Sequence, residues 1–507
     1  MNGARAFVVA AAVACVVAAP GRALGVDRRL GAGNAKPALT GLPWDAAATA
    51  SLAADIDGLL DGAPVLRGAH VGLLAVDTRS GAVVYARNAD DAFVPASTLK
   101  LLTGSVALAN LGLGYRFQTQ ALVDPASATL TVRAEGDPLL SVADLNALAR
   151  SARSAGIAAL PLGVQVDAGA FDAVPYPPGW VWDDVPYDYA AVVSAAVIEE
   201  NVVHLSVAPG PARGAAVLVS GAPPPFEHFP PPPDGCPATP ALAVRVKAST
   251  ADTGSADALD LARTGGCVDV IGELPLGSAP ETLDAAVPDP IWYLRELTQY
   301  ALARAGIAVP SGGTGGGSGI APAAARTVWS HAGEPLTDLL ADMWWPSDNL
   351  IAEVLLKAVG RKQSGGPGTT ASGIAAERAW LTAIGADPAK LTLADGSGLS
   401  TYDRITPRVL AAILQAGWNG PFRDVILDDL PLAGVRGTLR ESLRSSLAAG
   451  RTFAKSGSMN HVRALAGYLA TLHHGALTFA WTVDDWMGTD DDLDALRARV
   501  LSRFIGD

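Results

Sequence analysis

The sequence predicts an α+β protein in which both ends of the chain build one framework and a β-rich middle is inserted into it. Three observations carry that reading. A hairpin pattern near the start runs directly into a helical one; from roughly residue 115 to 325 the texture becomes short β-like runs with many turns; beyond Val328 helical periodicity returns. With 507 residues, half of them hydrophobic, the chain has enough material for two or three packed domains. Its net charge of −13 argues against non-specific nucleic-acid binding.

In chain order, Arg5, the apolar run 6–19 and the small residues around Pro20-Gly21 form a secretory signal-peptide pattern. An uncleaved anchor, or lipid attachment at Cys15, is the alternative, although Ala12-Val13-Ala14 fits a lipoprotein box poorly. No later stretch is apolar enough to span a bilayer, so no stable transmembrane anchor is expected. Residues 26–50 read as a polar leader and Leu52–Leu60 as an amphipathic helix. Val71–Asp77, a Ser80-Gly81 turn and Ala82–Ala86 make the hairpin, and a helix is expected from Ser97 to about Leu111. In the middle, strands are expected at Thr129–Arg133, Gly163–Asp167, Val202–Val207 and Ala241–Val246, with helices at Val142–Ser154 and Ile291–Ala305. The proline run 223–233 and the glycine-rich 311–319 are loops. Helices then follow at Pro335–Met343, Asn349–Val359, Gly373–Ile384 and Pro407–Ala416, and strands at Thr452–Lys455, Ala464–Ala470 and Leu477–Val483. The last helix, Asp491–Phe504, starts acidic and ends basic, so its carboxylates read as a dipole-matched cap and not as a metal site.

Without its leader the chain keeps two cysteines, Cys236 and Cys267. An exported protein favours a disulfide between them over two buried thiols. A zinc site is the weaker alternative, since no histidine pair has ligand spacing and His473-His474 suit a strand or its turn.

The chemistry starts at Ser97-Thr98-Leu99-Lys100. On the first turn of a helix, Ser97 and Lys100 share one face, and a buried lysine one turn away can take the proton that makes a serine hydroxyl nucleophilic. Alone, such a tetrapeptide is more often a helix start with a solvated lysine. Ser347-Asp348-Asn349 alone is an N-cap, and Lys455-Ser456-Gly457-Ser458 alone is a strand-end turn. Together, and with two of only seven lysines in motif positions, they match the Ser-x-x-Lys, Ser-x-Asn and Lys-Thr/Ser-Gly set of serine acyl-transfer enzymes.

Further segments stand in matching order: Gly136-Asp137-Pro138-Leu139-Leu140, Gly179–Asp184, Asp395–Ser400 and Gly437-Thr438-Leu439. With these the chain resembles the class C low-molecular-mass penicillin-binding proteins, the D-alanyl-D-alanine carboxypeptidase/endopeptidase family, from about Leu52 to Ile505. The separation of 250 residues from Ser97 to Ser347 exceeds the class A β-lactamase spacing, and no Glu-x-x-Leu-Asn-like deacylation motif lies between them.

The resemblance implies a β-lactamase/transpeptidase-like domain, an antiparallel sheet flanked by helices, carrying two inserted β-rich domains. Its implied division is a signal peptide at 1–25, the penicillin-binding domain at 26–120 and 322–507, one insert at 121–141 and 232–321, and the other at 142–231. It implies Ser97 as nucleophile, Lys100 as its base, Ser347 as proton relay to the leaving amine and Asn349 as holder of the substrate amide. Backbone N–H groups of Ser97 and Ser458 would form the oxyanion hole. Lys455, with Ser456, Gly457 and Ser458, would receive the substrate carboxylate. Trp180 and Asp183 or Asp184 would reach the diaminopimelate side chain, unless that turn only packs domains together. Ser456 replaces the commoner threonine and keeps the hydroxyl. The expected partners are peptidoglycan stem peptides, with β-lactams as inhibitors, and no cofactor or metal is required. A serine β-lactamase and a catalytically weak envelope binding protein are the alternatives.

Overall fold

The computed structural model describes residues 41–226, 236, 242–310, 319 and 321–506. The signal peptide, Cys15, most of the leader, the glycine-rich 311–318 and the proline run beyond residue 226 lie outside the described residues. The first helix, Ala46–Asp61, starts earlier than expected because Asp45 caps it, accepting from the amides of Ala47 and Ala48.

The framework is a five-stranded antiparallel sheet. Its strands are β1 (His70–Asp77), β2 (Val83–Arg87), β3 (Thr452–Met459), β4 (Val462–Ala470) and β5 (Ala476–Asp484), in the order β3-β4-β5-β1-β2. β1 pairs with β5 from His70 opposite Asp484 to Asp77 opposite Leu477, so the two ends of the chain close one sheet. Alternation sorts the side chains: Leu465, Leu469, Leu477, Phe479 and Trp481 pack with the helices Ala46–Asp61 and Asp490–Gly506, while Ala466, Tyr468 and Ala480 pack with Lys100–Leu111 and Pro407–Asn419. With both faces covered, the strands read as continuous apolar runs. The terminal helix, Asp490–Gly506, has the expected acidic first turn, but the amide of Asp492 donates to the Thr489 hydroxyl and not to a carboxylate, and Asp490 pairs with Arg463.

The middle of the chain divides along its sheets differently from the expected boundaries. Val164–Asp167 pairs in parallel with Thr129–Ala134, joining residues placed in separate inserts, and that sheet continues through Gln118–Asp124 to Arg326–Ala332. The physical reason is a strand–helix–strand crossover: Val142–Ser154, with a complete Ser141/Asp144 capping box, spans the connection and packs Leu145 and Leu148 on the sheet core. A second group holds Glu281–Ala286, Val202–Ala208 and Leu218–Ala222, then Asp260–Thr264, Cys267–Ile271 and Ala243–Val246, and a pair of Ser249–Ala251 with Glu273–Pro275. Cys236 is bonded to Cys267. Among the described residues no helix is long and apolar enough to cross a membrane.

One helix links these parts. Asn349–Ser364 carries Asn349, Glu353, Lys357 and Arg361 at four-residue intervals, and most of its residues are buried. Lys357 Nζ donates to Asp172 Oδ1 at 2.6 Å and to the Val174 carbonyl at 3.0 Å, and Arg361 pairs with Glu135 at 3.2 Å. Lys357→Met is expected to lower stability by about 2 kcal/mol, less than for a fully buried pair because Asp172 still reaches water. Urea unfolding measures it, and a loss under about 0.5 kcal/mol would remove this anchor from the account.

Candidate active site

The Ser97 turn is a 3₁₀ segment, Ala96–Leu99, leading into the α-helix Lys100–Leu111, so the regular helix starts three residues later than expected. Ala96 adopts φ +44°, a left-handed conformation that a non-glycine residue rarely takes. The turn is held by Thr98, whose hydroxyl donates to the Pro95 carbonyl at 2.7 Å, and by the Trp344 indole, which donates to the Lys100 carbonyl at 3.0 Å. Ser97 is half-buried and Lys100 fully buried.

Lys100 Nζ makes three contacts: Ser97 Oγ at 2.9 Å, Asn349 Oδ1 at 2.5 Å and the Ser397 carbonyl at 2.8 Å. Burial lowers its pKa to about 8, against the opposing pull of Asp395, Asp348 and Glu353. An amine so placed can lose its proton near neutral pH and accept one from Ser97. The second motif differs from the simple cap expected of it. Asp348 is the cap, accepting from the Ile351 amide at 2.7 Å, while Ser347 stands at φ +72° between two helices. Asn349 Nδ2 donates to the Tyr189 carbonyl at 2.7 Å, which fixes its oxygen towards Lys100.

The third motif lies on β3. Lys455 is fully buried and donates to the Ser456 carbonyl at 2.9 Å; burial, and then the Lys100 charge, hold its pKa well below the usual amine range. The Ser456 hydroxyl donates to Thr438 Oγ1 at 2.7 Å, tying the motif to Gly437-Thr438-Leu439. Gly457 lets the strand lie against the Ser97 turn, since a Cβ there would stand 2.8 Å from the Pro95 carbonyl oxygen and 3.0 Å from the Ser97 amide. Ser458 follows, exposed. The five expected catalytic side chains therefore come from the helix after β2, the Asn349–Ser364 helix with the turn before it, and β3.

Comparison with known proteins bears on the family and the fold. A family model described as D-Ala-D-Ala carboxypeptidase 3 (S13) matches residues 52–502. The chain belongs to that family. A D-alanyl-D-alanine carboxypeptidase of Actinomadura sp. (strain R39) is 31% identical over 434 residues, covering 82% of this chain and 78% of that protein. A D-alanyl-D-alanine carboxypeptidase DacB of Haemophilus influenzae is 25% identical over 451 residues, covering 86% and 89%. The crystal structure of penicillin binding protein 4 (dacB) from Haemophilus influenzae shares the fold, with a TM-score of 0.78 at 23% identity over 89% of this chain and 100% of that one. The class C resemblance and the α+β penicillin-binding fold are thereby confirmed.

Around these motifs the structure places the other expected residues and adds Glu353, Glu377 and Asp403, which the sequence did not point to. Trp180, expected at the substrate, donates its indole N–H to Asp395 Oδ2 at 2.9 Å, so it fastens the inserted segment to the Asp395–Ser400 loop. Asp183 is exposed; Asp184 is half-buried, accepts from the Tyr189 hydroxyl at 3.1 Å and has its pKa raised by burial. Behind Lys100 lie four fully buried carboxyls: Glu353, Glu377, Asp395 and Asp403. Asp395 accepts from the amides of Gly398 and Ser400, each at 2.7 Å, as well as from Trp180. Thr103 Oγ1 stands 3.0 Å from Glu377 Oε1 and donates to the Gly396 carbonyl at 2.6 Å. Burial raises the Glu377 pKa to about 8, against the lowering pull of its hydrogen bond with Thr103.

Proposed function

We propose that the protein is an exported serine-type D-alanyl-D-alanine peptidase acting on peptidoglycan stem peptides, as a carboxypeptidase and also on cross-links. The observation that carries this is the contact of buried Lys100 Nζ with Ser97 Oγ at 2.9 Å, in a chain of the S13 family. Lys100 takes the Ser97 proton while Oγ bonds to the carbonyl carbon between the two D-alanines. Backbone N–H groups of Ser97 and Ser458 stabilise the developing oxyanion. The C–N bond breaks, Ser347 passes a proton to the leaving D-alanine amine, and water then hydrolyses the acyl-serine. Asn349 holds the substrate amide. Lys455, Ser456 and Ser458 receive the terminal carboxylate, whose charge stabilises a protonated Lys455. Asp183, exposed beside Trp180, faces a cationic side chain of the stem peptide, with Asp184 behind it. Penicillins acylate the same serine. The two inserted bodies are drawn along the sheets described above, and the signal peptide at 1–25 directs export.

The test is intact mass after benzylpenicillin, peptide mapping of the adduct, and D-alanine release from a D-alanyl-D-alanine peptide. One stable adduct on the peptide containing Ser97, together with D-alanine release, is expected. Penicillin consumption without a lasting adduct would make the protein a β-lactamase. Neither adduct nor release would leave a binding protein.

A further inference from the structure

If Lys100 is the base, its lone pair must face Ser97 at the moment of attack. A neutral amine has two N–H bonds and one lone pair, arranged tetrahedrally. Two of the three groups around Nζ are pure acceptors, Asn349 Oδ1 and the Ser397 carbonyl. If both N–H bonds go to these oxygens, the lone pair is left for the third group, Ser97 Oγ. Both acceptors trace to one helix. Asn349 is its first residue. Glu353, one turn further along, accepts at Oε1 from the amides of Gly396 and Ser397, at 2.9 and 2.8 Å. Those bonds hold the two peptides just before the one that carries the Ser397 carbonyl, whose own Gly398 amide is held by Asp395 at 2.7 Å, so Glu353 anchors the loop immediately ahead of that carbonyl; Glu353 itself is fully buried.

We propose that Glu353 is a positioning residue for Lys100: by clamping the Gly396 and Ser397 amides it holds the Ser397 carbonyl on the amine and so aims the lone pair at Ser97. The inference rests on the reading of Lys100 as the base. Glu353 does not act alone electrostatically. Asp395, Asp348, Glu377 and Asp403 surround the pair and Lys455 faces Lys100; burial and the Asp395 charge push the Glu353 carboxyl up. Loss of Glu353 removes a carbonyl acceptor and a carboxyl that both favour protonated Lys100, so the proton affinity of Lys100 falls.

The experiment measures benzylpenicillin binding and the acylation rate separately, across pH, for wild type, Glu353→Ala and Glu353→Gln. Glu353→Ala is expected to slow acylation by about 10²-fold with penicillin affinity within about twofold, and to move the acid limb down by about one pH unit. Glu353→Gln keeps the acceptor oxygen and is expected to stay within about fivefold of wild type. If Glu353→Ala does not fold, Glu353→Asp, which withdraws the carboxylate by one methylene, is expected to lose about tenfold. A folded Glu353→Ala with the wild-type rate and limb overturns the proposal, as does a Glu353→Gln that falls as far as Glu353→Ala. Wild-type acylation with no acid limb near pH 8 would instead overturn Lys100 as base, and the inference with it.

Discussion

A Lys100→Met variant is expected to be acylated by benzylpenicillin about 10³-fold more slowly than wild type, within the range that a positioned general base contributes. Lys100 Nζ lies 2.9 Å from Ser97 Oγ, whereas the other buried amine of the site, Lys455, is committed to the Ser456 carbonyl. Methionine keeps most of the stem volume but offers no basic nitrogen. The pH dependence gives a second reading. Burial brings Lys100 to about 8, so below that pH the amine carries its proton and cannot accept another; wild-type acylation is expected to rise as pH passes through about 8. The variant is expected to show no such limb. It also leaves Asn349 Oδ1 and the Ser397 carbonyl without their donor, at about 1–3 kcal/mol for each buried acceptor, so rates are compared well below its melting temperature. A variant rate within about tenfold of wild type would take the base role from Lys100.

The parts of this site that are legible in the sequence are those written in side-chain type at short spacing. Ser97 with Lys100, and Lys455 with Gly457, each lie within one local element, so their relation survives any error in the overall fold. Both helix and strand periods are clear in the framework, where apolar side chains alternate or recur against a closed core. Other features leave no such mark. Ala96 and Ser347 take left-handed backbone without a glycine to announce it, because surrounding contacts impose the conformation. The acceptors that orient Lys100 and Asn349 include the carbonyls of Ser397 and Tyr189, which every residue type possesses. Glu353 and Glu377 look like ordinary polar positions on helices, and only tertiary packing buries them behind the lysine. The grouping of the middle strands depends on parallel pairings, Thr129–Ala134 with Val164–Asp167 and Ala243–Val246 with Cys267–Ile271, whose partners are separated by intervening elements.

Gly398→Ala is expected to lower acylation by about 10²-fold and stability by about 2 kcal/mol, two losses with one origin. Gly398 has φ +78°, and a Cβ there would lie 1.9 Å from the Ala96 carbonyl oxygen and 2.6 Å from its carbon. No rotamer relieves that contact, because both atoms belong to backbone. Either the Asp395–Ser400 loop moves away, taking the Ser397 carbonyl from Lys100, or the Ser97 turn moves, taking Ser97 from it. The loop resists, since Asp395 holds the Gly398 and Ser400 amides and Glu353 holds those of Gly396 and Ser397. The turn is also confined from β3, where Gly457 approaches Pro95 and Ser97. Backbone strain alone is separated from close approach by Gly385→Ala, at φ +79° with open space around its Cβ position. That control is expected to lose about 1 kcal/mol and to acylate normally. Equal acylation by the two variants would mean that the Gly398 loop does not set the place of Ser97; a deficit confined to Gly398→Ala means that the loop and the Ser97 turn are fitted to each other at van der Waals distance.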